Sequence, residues 1–165
     1  MADSEAQVLA AQCENVAVFR VLGRVTFKVS PEFRDYAVKA FDEGVRSMIL
    51  DLSGCVTMDS TFMGVLAMIG IEGRRREAQL LVVNADESNR HLLDSIGVSR
   101  VWTFSETAVP NVNMATLCEA AKGATATDDV GALVLEAHRT LMDLDEANIP
   151  KFKNVVELLS QELGQ

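Results

Sequence analysis

Apolar residues recur along this chain at two different periods, and the change between them marks out its elements. Val16, Val18 and Val21, with Phe19 and Leu22 interleaved, give a run with apolar residues on both faces. Val25, Phe27 and Val29 then alternate cleanly with polar positions. Period two belongs to strands, whose successive side chains point to opposite faces. The Gly23-Arg24 step between the runs predicts a hairpin turn. From Ser30 the period lengthens, and Phe33, Tyr36, Ala37, Ala40 and Phe41 recur at helical spacing. That predicts a helix with one face towards a core. Ser30 is its expected N-cap and Pro31 its first residue, where a missing N–H costs nothing. Gly44 closes it.

Met48, Ile49, Leu50 and Leu52 predict a buried strand that breaks at Ser53-Gly54. After a connector, a second helix opens at Asp59-Ser60. Its body is the uncharged run Phe62 to Ile71, and Arg74-Arg75-Arg76 suit the negative end of its dipole. Glycines at 64, 70 and 73 each cost about 1 kcal/mol relative to alanine in a helix interior. Their expected return is close approach to the sheet or to a partner. Leu80 to Val83 predict a short buried strand. Ser88 starts a helix with Leu92, Leu93 and Ile96 inward, ended by Gly97. Val98 to Phe104 form a last strand carrying Trp102. Strands alternating with helices predict an α/β domain: a mixed sheet of about five strands, partly parallel, packed with helices and joined by right-handed crossovers.

Both ends depart from this pattern. Residues 1–14 are expected to be a mobile arm, 15–109 the α/β domain, and 110–165 a helical extension. Within the extension, Met114, Leu117, Cys118 and Ala121 predict a short helix, and residues 123–127 a linker. Val130, Leu133, Val134, Ala137, Leu141 and Leu144 make one apolar stripe; Phe152, Val155, Val156, Leu159 and Leu163 make another. Joined by Glu146 to Ile149, they predict an αα-hairpin. Neither stripe is stable in water alone. The hairpin must fold back on the domain or pair with a second copy in a homodimer.

Charge and cysteine usage narrow the function. The net charge of −9 argues against nucleic acid, which is bound largely through Lys and Arg, and against an anionic membrane surface. No apolar run is long enough to span a bilayer. The acidic N-terminus lacks the features of a signal peptide, so a cytoplasmic protein is expected. Cys13, Cys55 and Cys118 are odd in number and far apart, which predicts reduced thiols. With His91 and His138 also isolated, no metal site is expected, and no phosphate-binding glycine loop implies a nucleotide cofactor. There is no G-x-S-x-G elbow and no evident base for a nucleophilic serine, so an enzyme is not expected.

What remains is Ser60, placed where a strand hands over to a helix. Spacing alone makes it a helix cap. The residues around it also carry a resemblance. Asp51-Leu52-Ser53 after an apolar strand, a short connector, Asp59-Ser60-Thr61 and Gly64-Val65-Leu66 resemble the STAS domain of bacterial anti-sigma factor antagonists. So do Ser30-Pro31, Asn84 after the Leu80–Val83 strand, and the helix end at Leu92 to Gly97. The resemblance runs from about Asn15 to Ser105. It implies that Ser60 is phosphorylated by a partner kinase, with Thr61 the neighbouring alternative. It further implies a docking face of Asp51, Ser53, Asp59, Ser60, Thr61, Phe62 and Met63. The partners implied are an anti-sigma factor with serine kinase activity and a serine phosphatase. The chain departs from the family at Phe62, where glycine is usual, and this is expected to reshape the docking surface. Without phosphorylation, the chain would be a constitutive scaffold or assembly module.

Overall fold

A computed structural model describes residues 6–117 and 130–164. One mixed sheet of six strands runs in the order β5-β4-β3-β2-β1-β6. Strands β2 (Val16–Val25), β3 (Ser47–Met58), β4 (Gln79–Val83) and β5 (Thr103–Ser105) are parallel in consecutive pairs. Strand β1 (Gln7–Cys13) lies antiparallel to β2, and β6 (Ala115–Thr116) antiparallel to β1. Parallel neighbours need a crossover, and here helices α1 (Ser30–Asp42), α2 (Ser60–Arg75) and α3 (Glu87–Ser95) supply them in turn.

Strand alternation sorts the apolar residues between two faces. Phe19, Leu50 and Val82 share the main core with Phe33 and Phe41 of α1, Phe62 and Leu66 of α2, and Leu93 of α3. Val18, Ile49 and Val83 point the other way and are covered by Val109, Val112 and Met114, on the segment leading to β6. Trp102 is buried at the end of the last crossover and donates its indole N–H to the Leu66 carbonyl at 2.8 Å.

The hairpin exists and docks in cis. Helix α4 (Val130–Leu144) sends Leu133, Ala137 and Leu141 into the main core. A single helical turn, Glu146–Asn148, leads into α5 (Ile149–Leu163), which buries only Val156 and leaves Val155 and Leu158 exposed. α4 therefore belongs to the domain's core, and α5 rests largely on α4.

Several expectations need correcting. Residues 7–13 are a strand rather than an arm, and the hairpin turns at Glu14-Asn15; with the two expected strands of residues 16–29 reduced to β2, β1 and β6 bring the sheet to six strands. Val8 and Ala10 point inward, but the surrounding alanines and glutamines give the alternation little contrast. No turn forms at Gly23: β2 runs straight through it, with φ of 75° at the glycine and shifts of register against β3 on both sides. The extra residues lie on β3, so the Ser53-Gly54 step is a bulge within a long strand. Gly23 supplies the positive φ opposite it, and Gly54 leaves room for the Leu22 side chain, which a Cβ would strike. Ser30 does not cap α1; it is the helix's first residue, and its hydroxyl donates to the Thr26 carbonyl. Asp86 caps α3, which begins at Glu87 rather than Ser88. Val98–Arg100 is a helical turn, leaving only Thr103–Ser105 as strand. Ala115–Thr116 is strand within the stretch where a short helix was expected; Leu117 after it is helical and buried, and Cys118, Ala121 and the 123–127 linker lie outside the described residues.

Candidate functional site

The junction between β3 and α2 is built around Asp59. Its backbone is extended, and its carboxylate accepts from the Phe62 N–H at 2.8 Å, closing the first turn of α2. The other carboxylate oxygen accepts from the Phe27 N–H, also at 2.8 Å. One side chain thus satisfies an orphan amide of the helix and ties the β2–α1 turn to it. Asp59, not Ser60, is the cap. That frees the Ser60 hydroxyl, on the first helical residue, for another partner.

The partner is His138 of α4. Ser60 Oγ lies 2.8 Å from His138 Nε2, and His138 Nδ1 lies 2.7 Å from the Val134 carbonyl oxygen. A carbonyl only accepts, so Nδ1 carries a proton, and in the neutral ring Nε2 accepts from the serine. The imidazole is buried, and the Phe152 ring of α5 meets it edge-on at 5.1 Å. One turn beyond Ser60, Gly64 lies against Ala137: a Cβ added there would come within 2.6 Å of both the alanine Cβ and its carbonyl oxygen. Close approach was expected here to the sheet or to a partner; it is made instead to α4 of the same chain. Sequence reasoning treated His138 as isolated, yet it follows Ala137 within the stripe that α4 buries.

The other residues expected at a docking face divide by depth. Ser53 is exposed, and Asp59 and Ser60 are half-buried. Thr61, Phe62 and Met63 are buried. Phe62 stacks on Phe33 of α1, with ring centroids 5.1 Å apart and planes 11° from parallel. The bulky residue that replaces the family's usual glycine therefore fills the core instead of altering the surface. Two exposed apolar residues flank the junction instead: Phe27, whose backbone is bonded to Asp59, and Val56, on the irregular part of β3. Alternation suggested Phe27 as part of a strand and gave no sign of this role.

Asp51 is buried in the sheet and holds a polar cluster together. It accepts from Arg20 Nε at 2.9 Å, from Asn84 Nδ2 at 2.9 Å and from the Ser53 N–H at 3.0 Å. Burial alone would raise its pKa, but the bonds from Asn84, Arg20 and Ser53 outweigh that and hold it below the ordinary carboxylate value. Asp51→Ala leaves three donors unpaired. Because Arg20 keeps access to water, the expected loss is about 2–3 kcal/mol, below that for a fully buried pair, and urea unfolding measures it. The stability that ionised Asp51 supplies is present above its unfolded pKa, about 3.9, and is lost as pH falls through the lower folded value. An Asp51→Ala chain should therefore lack that part of the wild-type acid dependence.

Two clefts, of about 400 and 230 Å³, are lined by residues other than Ser60 and His138, the first by Arg34, Val38, Phe41 and Met68 among others. His138 is oriented by a backbone carbonyl where a catalytic triad would use a carboxylate. Among the described residues, no three or more His, Cys, Asp or Glu side chains are grouped to hold a metal ion. No helix among them is long and apolar enough to cross a membrane.

A mixed sheet with crossover helices and a serine at the first position of the second helix defines a small α/β domain with a strand-to-helix site and an appended hairpin. The STAS domain family matches residues 7–109, and the chain belongs to that family. The match begins with β1 and ends before α4. No curated protein matches the sequence significantly. Among solved structures, the fold is similar to the anti-sigma factor antagonist SpoIIAA in its unphosphorylated form, with TM-score 0.54, 15% identity, and coverage of 59% of this chain and 87% of that one. An anti-sigma factor antagonist from Mycobacterium paratuberculosis gives TM-score 0.53 at 18% identity, covering 62% and 87%. The Bacillus cell fate determinant SpoIIAA in its phosphorylated form gives TM-score 0.50 at 18% identity, covering 61% and 90%.

Proposed function

We propose that this chain is a cytoplasmic anti-sigma factor antagonist switched by phosphorylation on Ser60. Unphosphorylated, it binds an anti-sigma factor with serine kinase activity and so frees a sigma factor for transcription. Phosphorylated, it lets go until a serine phosphatase resets it. It works by binding and is the kinase's substrate, not an enzyme. The observation that carries this reading is the placement of Ser60: first residue of α2, with the capping role taken by Asp59, on a domain of the STAS family. A helix N-terminus also suits the modified state, because its free N–H groups and positive dipole end favour a phosphate.

The docking face in this reading centres on Ser60 and Asp59 with Ser53, and extends over the exposed side chains of Phe27 and Val56. Asp51, Thr61, Phe62 and Met63 support that face from beneath. An added charge of about −1.5 to −2 within it opposes binding, since desolvating it without a matching cation costs several kcal/mol.

The hydrogen bond from Ser60 to His138 favours a second reading, in which Ser60 only pins the hairpin and the chain is a constitutive scaffold. Incubation with lysate of the source cells and ATP, followed by phosphopeptide mapping, separates the two. A single phosphate on Ser60, lost in Ser60→Ala, is the expected result. Phosphate on Thr61 or Ser53 with Ser60 unmodified contradicts the assignment, and an unmodified chain supports the scaffold.

A further inference from the structure

The bond between Ser60 and His138 joins the phosphoacceptor to a segment beyond the STAS match, and the switch described above has no use for it. α4 lies against α2 with Ala137 on Gly64, so close that not even a methyl group fits between them. His138 holds the serine hydroxyl from the same helix, and Phe152 of α5 packs on the ring. The hairpin is also anchored well away from Ser60. Asn148, fully buried in the turn between α4 and α5, donates to the Ile96 carbonyl at 2.8 Å and the Leu141 carbonyl at 2.7 Å. Arg100 donates to the Leu144 carbonyl, and Arg34 of α1 pairs with Glu136 at 3.2 Å. The exposed ion pair adds little, whereas the buried amide fixes the turn on the domain.

The geometry points to the C-terminal hairpin as a cover over the phosphoacceptor: closed, it holds the Ser60 hydroxyl on His138 against α4, and it must lift from α2 before a kinase can take that hydroxyl. This rests on Ser60 being the acceptor. Phosphoryl transfer needs the attacking oxygen in line with the γ-phosphate and its proton directed at the kinase's base. A hydroxyl donating to a buried imidazole is aimed elsewhere. If only the open form reacts, the rate falls in proportion to its population. Coupling is mutual: a phosphate on Ser60 needs the space that the ring occupies, so phosphorylation itself favours the lifted hairpin.

The cover is testable without any kinase. In a full chain carrying Ser60→Cys, maleimide labelling at position 60 is followed by peptide mapping, with exposed Cys13 as internal reference. Cys55 is buried, and burial, then the nearby Asp86 charge, push its thiol up to about 11, so it reacts slowly at neutral pH. An imidazole beside the new thiol would speed labelling, so a slow rate reports coverage. Adding Asn148→Ala, remote from Ser60, should raise labelling at position 60 relative to Cys13 about tenfold or more. Gly64→Ala, which pushes α4 off by a different route, should do the same. Fluorescence of the single, buried Trp102 checks that the sheet and α2 stay folded.

Labelling at position 60 as fast as at Cys13, and unchanged by either variant, overturns the cover. With Ser60 intact, phosphate should accumulate faster in Asn148→Ala than in the unaltered chain under lysate and ATP. Equal rates overturn the gating and leave Ser60 as acceptor. Faster labelling in the variants with no phosphate on Ser60 in any chain keeps the cover and removes the phosphorylation reading instead.

Discussion

Phe62→Gly, which installs the residue usual in the family, should destabilise this chain by about 3.5–6 kcal/mol. The ring is fully buried and stacked on Phe33, and truncating such a phenylalanine to alanine costs about 3–5 kcal/mol. Going on to glycine within a helix adds roughly 0.5–1 kcal/mol. That sum approaches the whole stability of a typical domain, about 5–15 kcal/mol. Denaturant unfolding reads it directly. A double-mutant cycle with Phe33→Leu should find coupling of about 0.5–1.5 kcal/mol between the two rings beyond their burial. A loss below about 1 kcal/mol for Phe62→Gly would mean that the ring is not part of the core.

Ser60→Glu should weaken binding to the partner kinase by about a hundredfold or more, equivalent to roughly 2.7 kcal/mol, while leaving the fold intact. The hydroxyl bond to His138 is lost, at a cost of about 1 kcal/mol. Against that, a carboxylate in the first turn of a helix gains about 0.3–1 kcal/mol from the dipole. These terms nearly cancel in the folded chain, so the melting temperature should move by only a few degrees. Nothing comparable offsets the charge within a docked interface. Calorimetry and a thermal melt test both halves. An unchanged affinity with an unchanged melt would leave the switch without a mechanism.

The parts of the fold with strong periodicity were legible. α1, α2, α3 and both helices of the hairpin fall where the apolar spacing puts them, and Gly64 makes a close approach as its cost implied, though to the hairpin rather than to the sheet or a partner. Strand β1 was hidden because its inward positions, Val8 and Ala10, sit among residues nearly as bland as themselves. Gly23 and Gly54 read as breaks because a glycine in a bulge and a glycine in a turn look alike until the partner strand's register is known. At the site, the Asp59-Ser60 junction was visible locally, but the division of labour within it was not. Which of two adjacent polar residues caps depends on backbone angles, and here Asp59 has the extended conformation. His138 was beyond local reading altogether. It lies 78 positions from Ser60, and only the docking of α4 on α2 brings them together.

The most direct measurement compares two forms of one chain, unmodified and phosphorylated on Ser60, for binding to the kinase that captures the first of them. Titration calorimetry of each form against that purified kinase should give a dissociation constant at least about a hundredfold higher for the phosphorylated chain, with phosphatase treatment restoring the original value. Equal affinity of the two forms would contradict partner switching at Ser60, however well the serine is phosphorylated.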